Sequence, residues 1–269
     1  MREPVKVAVI GGSGLYDLGA PVEEVWPHTP YGRPSDAIRL TRVGGHTVAF
    51  LPRHGRDHTV PPHQINYRAN LFALSCLGVE RVVGPCAVGS LRADLEPGSV
   101  VVCDQFFDRT KGRPDTFFDG PKVAHLSAAD PYCPELRPLA ASAARQAGFA
   151  VTDTGTVVVI QGPRFSTRAE SQWFQRMGAD VVGMTQYPEV VLARELGMCY
   201  VTLAVVTDFD AGLAGRSDVA AVTHEEVMAA FARSRGRLLQ ALEILLAAVP
   251  GARGCDCRAA GQALEPGGN

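Results

Sequence analysis

Short apolar runs of strand length alternate with stretches of helical periodicity along this chain, and that alternation limits the fold more than any other feature. The runs occupy residues 5–10, 47–51, 79–84, 99–104, 156–160, 179–183 and 199–206. Several are unbroken rather than alternating, which is the pattern of strands covered on both faces. Helical patterns occupy 69–77, 134–147, 168–177, 188–196 and 225–248. Strands interleaved with helices imply an α/β fold with a mixed, largely parallel central sheet flanked by helices. A chain of 269 residues with 46% hydrophobic content can bury one large core of this kind. The expected organisation is one domain over 1–250 and a flexible tail over 251–269, where glycine and alanine replace apolar periodicity.

The net charge of -2 gives no footprint for nucleic acid or an anionic membrane. No apolar run reaches the 18 residues or so of a membrane span, and the first residues lack the long apolar core of a secretory signal. The seven cysteines are odd in number and scattered, which suits reduced thiols in the cytoplasm. Cys255 and Cys257 lie in the polar tail and read as a pair of exposed thiols. A metal site there needs two more ligands that the tail lacks, so no metal is expected.

In such sheets, sites gather beyond the carboxyl ends of the strands. Five segments follow strand runs: 11–17, 52–59, 85–90, 161–170 and 207–212. The first opens Gly11-Gly12-Ser13-Gly14, a turn in which backbone N–H groups and the Ser13 hydroxyl can face an anion, or which can serve only as a turn. It completes neither a dinucleotide fingerprint nor a P-loop. The second, Arg53-His54-Gly55-Arg56-Asp57-His58, is a dense cationic patch, either a solvated loop or an arginine fork for phosphate. The third, Pro85-Cys86-Ala87-Val88-Gly89-Ser90, reads as another turn with small residues and backbone donors.

The remaining segments suit a flat base and a sugar. Phe165 can stack on a heterocycle, with Ser166 beside it; Met184-Thr185 pairs a soft apolar surface with a hydroxyl. Asp208-Phe209-Asp210 puts two carboxylates two residues apart, and in an extended chain they project to one side. Neighbouring carboxylates raise the pKa of one of them, leaving a proton to give to a departing purine at N7, while the other accepts from a 6-amino group. The same pair can bind Mg²⁺ or cap a helix.

These segments, in this order, resemble the methylthioadenosine phosphorylases of the trimeric purine nucleoside phosphorylase family. The resemblance rests on IGGSGLYD (10–17), TPYGRPSD (29–36), RHGRDHT (53–59), INYRANLFAL (65–74), AVGSL (87–91), DQFFDRT (104–110), DPYCP (130–134), QGPRFSTRAES (161–171), GMTQYPEVVLARE (183–195) and TDFDAG (207–212). It implies the phosphorylase/hydrolase-like fold and cleavage of S-methyl-5'-thioadenosine to adenine and 5-methylthioribose 1-phosphate. It also implies no cofactor beyond phosphate as co-substrate, and a homotrimer with shared active sites. By resemblance Ser13, Arg53, His54, Cys86, Ala87 and Thr185 form the phosphate site. Phe165, Met184, Asp208, Phe209 and Asp210 bind the nucleoside, with Asp208 and Asp210 catalytic. His125 reaches into a neighbouring subunit's 5'-pocket. Ser166 and Asp208 stand where 6-oxopurine enzymes carry Glu and Asn, which favours a 6-aminopurine. Two positions depart from the pattern. Cys86 replaces a threonine hydroxyl, so backbone N–H groups are expected to make that contact. His224, in VTHEEV (222–227), stands where methylthioadenosine enzymes place an apolar residue and where enzymes for ordinary nucleosides place histidine. The alternative substrates are therefore 6-oxopurine nucleosides, adenosine or other 5'-modified adenosines.

Overall fold

A computed structural model describes residues 5–213 and 222–261. Its strands are β1 (Val7–Gly11), β2 (Glu23–Val25), β3 (Ile38–Val43), β4 (His46–Pro52), β5 (Arg81–Val83), β6 (Cys86–Ser90), β7 (Val100–Val101), β8 (Gln105–Arg109), β9 (Val151–Thr152), β10 (Thr156–Ile160), β11 (Val181–Gly183), β12 (Cys199–Val201) and β13 (Ala204–Asp208). Its helices are α1 (Tyr67–Cys76), α2 (Leu136–Gln146), α3 (Arg168–Arg176), α4 (Gln186–Glu195), α5 (His224–Ala248) and the short α6 (Cys257–Ala260). Each helix and strand run expected from periodicity finds a counterpart, with ends shifted by a few residues.

The strands form two mixed sheets flanked by helices. One runs β12-β5-β1-β4-β3-β2 and the other β8-β10-β11-β6-β13-β7-β9. Most pairings are parallel; β2–β3, β3–β4, β6–β11 and β7–β13 are antiparallel. The sheets are joined by two strand pairs that cross from one to the other side by side. β5 continues into β6 through Gly84-Pro85, and β12 into β13 through Thr202-Leu203. The ladder survives the crossing: Gly84 N–H donates to Val201 O at 2.8 Å and Cys86 N–H to Leu203 O at 3.2 Å. The Thr202 hydroxyl donates across the same seam to Gly84 O at 2.8 Å. This is why the apolar run 199–206 is two strands rather than one, and why 85–90, read as a turn, is largely a strand: apolar periodicity continues through a bend that keeps its partners.

Helices α1 and α4 pack together, as do α2 and α5, and the described buried hydrophobics form two large core clusters and a smaller third around Phe174. In α5 the buried residues Phe231, Ser234, Leu238, Ala241, Leu242 and Leu245 recur at three and four residues, the apolar stripe of an amphipathic helix. Its start is fixed by a capping box, in which Thr223 Oγ1 accepts from Glu226 N–H and Glu226 reaches back to Thr223 N–H. Within the expected flexible tail, three ties hold the chain to the body: Cys257 is buried, Gly254 N–H donates to Glu135 Oε2 at 2.6 Å, and Arg253 donates to Gly197 O at 2.7 Å. Residues 262–269 lie outside the described residues.

Candidate active site

The carboxyl ends of strands from both sheets open on one cavity of about 430 Å³. Five expected segments meet there: Gly12 and Ser13 after β1, Arg53 and His54 after β4, Cys86 and Ala87 on β6, Phe165 after β10, and Asp208 and Asp210 at the end of β13. Met184 and Thr185 enter after β11, and His224 from the first turn of α5. Thr185 stands at the start of α4, but its hydroxyl does not cap the helix. Two glycines are dictated by close approach. A side chain at Gly12 would lie 2.9 Å from Arg53 Nη1 and from Pro85 O; one at Gly89 would lie 2.8 Å from Asp208 Oδ1.

The cationic patch is electrically much quieter than its sequence suggests. Arg53 is buried and forks onto Glu189, with Nε to Oε2 and Nη2 to Oε1 both at 2.7 Å, while Nη1 donates to Pro85 O at 3.1 Å. Burial opposes its charge, but Glu189 outweighs burial and holds the guanidinium firmly protonated. A guanidinium has about five N–H groups, so two remain for an anion. Arg56 turns to Asp36, donating at 2.9 Å. His54 is pushed down to about 3 by burial and by the Arg53 charge. Its Nδ1 lies 2.8 Å from Val60 O, which fixes the proton on Nδ1 because a carbonyl only accepts. His54 therefore presents a neutral ring whose Nε2 is an acceptor. His58 is lowered as well, by burial and then by His224.

At the other end of the cavity the two carboxylates do come together, though not through an extended chain. β13 ends at Asp208 with a register shift opposite β6, and Asp210 has φ 50°, in the left-handed region. A tight turn brings Asp210 N–H onto Asp208 Oδ1 at 2.7 Å. The other oxygen, Oδ2, accepts from the Thr207 hydroxyl at 2.7 Å. Burial raises Asp208 to about 6 against those two hydrogen bonds, and the Asp210 charge adds to the rise. Burial also raises Asp210, partly offset by the hydroxyls of Ser166 and Ser171. Asp208 thus sits near the pH range in which it can hold a proton.

Three expected residues stand apart from the cavity wall. Ser166 is beside the Asp210 carboxyl rather than in the lining. Phe209, between the two aspartates, does not line the cavity. His125 is exposed and outside this chain's own cavity.

Sequence reading missed other contributors. Glu189 is buried in an otherwise apolar stretch of α4, and that lone acid was the available signal. Arg113 is buried and gathers the strand ends: it donates to Met184 O at 2.9 Å, Tyr187 O at 2.7 Å and Gln161 O at 2.8 Å. No local pattern marks it. Val227 and Met228, a turn along α5 from His224, also line the cavity.

Comparisons with known proteins agree with this geometry. The profile of the phosphorylase superfamily matches residues 6–247. A purine nucleoside phosphorylase of Streptomyces coelicolor is 52% identical over 97% of this chain and 96% of its own length. An S-methyl-5'-thioadenosine phosphorylase of Mycolicibacterium smegmatis is 57% identical over 85% of each chain. Among solved structures, methylthioadenosine phosphorylase from Schistosoma mansoni in complex with adenine aligns with a TM-score of 0.85 and 39% identity, covering 90% of this chain and 91% of that one. The chain therefore belongs to the phosphorylase superfamily, among the S-methyl-5'-thioadenosine and purine nucleoside phosphorylases.

Proposed function

We propose that the protein splits S-methyl-5'-thioadenosine with inorganic phosphate, releasing adenine and 5-methylthioribose 1-phosphate. The observation that carries this reading is a single cavity with Asp208 raised to about 6 at one end and donors for an anion at the other. Phe165 and Met184 line the space between and suit a stacked base and a ribose.

The chemistry follows from those groups. The bond from C1' to N9 stretches first, and positive charge develops on the ribose. Phosphate, held beside it by Ser13, Thr185, the backbone at Cys86-Ala87 and the two free N–H groups of Arg53, attacks C1' from the face opposite the base. Asp208 gives its proton to N7 as the base leaves, and Asp210 accepts from the 6-amino group. The neutral His54 takes the role of acceptor for the remaining hydroxyl of hydrogen phosphate, rather than that of a cation. No cofactor beyond phosphate enters these steps. Cys86 Sγ is turned toward the Thr202 hydroxyl at 3.6 Å and accepts from Gln186 Nε2 at 3.5 Å, which supports backbone rather than thiol contact with phosphate.

Val227 and Met228 support an apolar 5'-substituent, because they offer a thioether-compatible surface beside His224. His224 itself favours a second reading, a nucleoside with a free 5'-hydroxyl, and the S. coelicolor relative bears the name purine nucleoside phosphorylase. His125 and the exposed Val123 on the same irregular segment support a homotrimer in which each subunit completes its neighbour's 5'-pocket. The described helices include none long and apolar enough to cross a membrane, and the described cysteines are free thiols; both support a cytoplasmic location.

The test is a side-by-side assay of methylthioadenosine, adenosine, 5'-deoxyadenosine, methylthioinosine and inosine, each with and without phosphate. Methylthioadenosine is expected to give the highest kcat/KM, with adenine release dependent on phosphate. Inosine as the best substrate would overturn the reading of Asp208 and Asp210.

A further inference from the structure

We propose that Cys133, Cys199, Cys255 and Cys257 form a closed four-thiolate site for one zinc ion, which fastens the C-terminal segment to the body of the fold. The four residues come from three separate places: the loop before α2, the first position of β12, and the Cys-x-Cys of the tail. Their sulfur atoms all lie within 4.8 Å of one another. Cys255 Sγ is 3.4 Å from Cys199 Sγ and 3.7 Å from Cys133 Sγ. A tetrahedral zinc–thiolate centre with bonds of about 2.3 Å separates its sulfurs by about 3.8 Å. The cluster therefore already has nearly the dimensions of an occupied site and needs only small side-chain adjustments. Sulfurs this close leave room for a single ion rather than a multi-iron cluster.

The surroundings suit thiolates. Leu136 N–H donates to Cys133 Sγ at 3.4 Å, the kind of second contact that orients a ligand and stabilises its negative charge. Three of the four cysteines are buried, so the site is shielded from water. Ordinary core packing accounts for one buried cysteine at a time. It does not account for four sulfurs converging from remote positions where the tail folds back. The missing pair of ligands for Cys255 and Cys257 is thus supplied by the fold.

Binding is a proton exchange: Zn²⁺ enters, the thiols lose their protons to solvent, and four Zn–S bonds form with no change in oxidation state. Four protein ligands complete the tetrahedron and leave no open position, so the ion's role is structural. None of the four lines the active-site cavity. The tail's other ties, Arg253 to Gly197 and Gly254 to Glu135, hold the same corner.

The experiment uses the full chain, purified under reducing conditions without chelator. Elemental analysis is expected to find about one zinc per chain. A mercurial that titrates thiols should release it. Adding zinc to the stripped, reduced protein should restore its Tm. Replacing zinc with cobalt in the wild-type protein should give the intense thiolate charge-transfer and tetrahedral d–d absorption of a four-sulfur site. Cys257→Ser should lose the metal and melt at least about 5 °C lower, with nucleoside turnover at low temperature unchanged. The proposal is overturned by metal-free protein with four reduced thiols that ignores added zinc, by iron in place of zinc, or by disulfides among these cysteines in the unreduced mass spectrum. The cobalt spectrum decides the matter even if Cys257→Ser does not fold.

Discussion

Replacing Glu189 with glutamine isolates the pair on which the anion side of the cavity is built. In the native protein Arg53 donates twice to Glu189 at 2.7 Å, with both side chains out of contact with water. Tyr200 adds its hydroxyl to the same carboxylate at 2.7 Å. Removing one partner of a buried ion pair costs about 3–5 kcal/mol, because the other charge stays buried without compensation. Glutamine keeps one carbonyl oxygen for a single Arg53 N–H, and a hydrogen bond to a charged group recovers about 1 kcal/mol or somewhat more. The net loss is therefore about 2–4 kcal/mol. For a chain of this size each kcal/mol lowers Tm by about 2–4 °C, so Glu189→Gln should melt roughly 4–16 °C below wild type. A second readout carries a definite sign. With its counter-charge gone, Arg53 gains more from a bound anion, so saturating phosphate should raise the Tm of the variant more than that of the wild type. Thermal unfolding with and without phosphate measures both quantities. A Tm within about 2 °C of wild type and an equal response to phosphate would refute the reasoning.

Three further outcomes can be checked. Asp208 is raised to about 6 and is useful as an acid only while protonated, so nucleoside kcat/KM should fall as pH rises through the Asp208 pKa. Asp208→Asn should abolish that limb and lower the rate by about 10²–10⁴-fold; a pH–rate series that keeps its alkaline limb in the variant assigns the proton elsewhere. Cys86→Ala should raise the phosphate KM by less than about tenfold, or roughly 1.4 kcal/mol, since the thiol faces Thr202 and Gln186; steady-state kinetics in phosphate would show a larger rise if the sulfur carried the contact. Gly84→Ala would put a methyl group 2.2 Å from Tyr200 Oη and 2.9 Å from Glu189 Oε1, so it should destabilise by about 1–3 kcal/mol in denaturant melts, and a neutral result would mean the seam is soft.

The buried strands were legible because their runs of valine, isoleucine and alanine need cover on both faces, and β10 over Thr156–Ile160 was recovered to the residue. The segments after the strands were legible as a site because glycine, hydroxyl and charged residues collect there against an apolar background. What stayed hidden depends on distant partners. Arg53 looked like a free phosphate fork because Glu189 lies 136 residues away. His54 looked cationic because a one-dimensional reading contains neither its burial nor the Val60 carbonyl. Asp208 and Asp210 lie together through a left-handed turn rather than through the extended chain that their spacing suggests. The tail cysteines looked exposed because Cys133 and Cys199 reach them only through the fold.

The two side-by-side strand crossings have a consequence for reactivity. Ser13, Arg53 and His54 hang from the first sheet, whereas Phe165, Asp208 and Asp210 hang from the second. In the proposed reaction the leaving group is therefore held by the second slab alone, while the nucleophile is gripped from both, by Ser13, Arg53 and His54 on the first and by Thr185 and the Cys86-Ala87 backbone on the second. The angle at Gly84-Pro85 and Thr202-Leu203 then acts as a jig that sets how far the attacking oxygen stands from the anomeric carbon. Substitutions along that seam would tune the rate through alignment alone, while every group that touches substrate stayed the same.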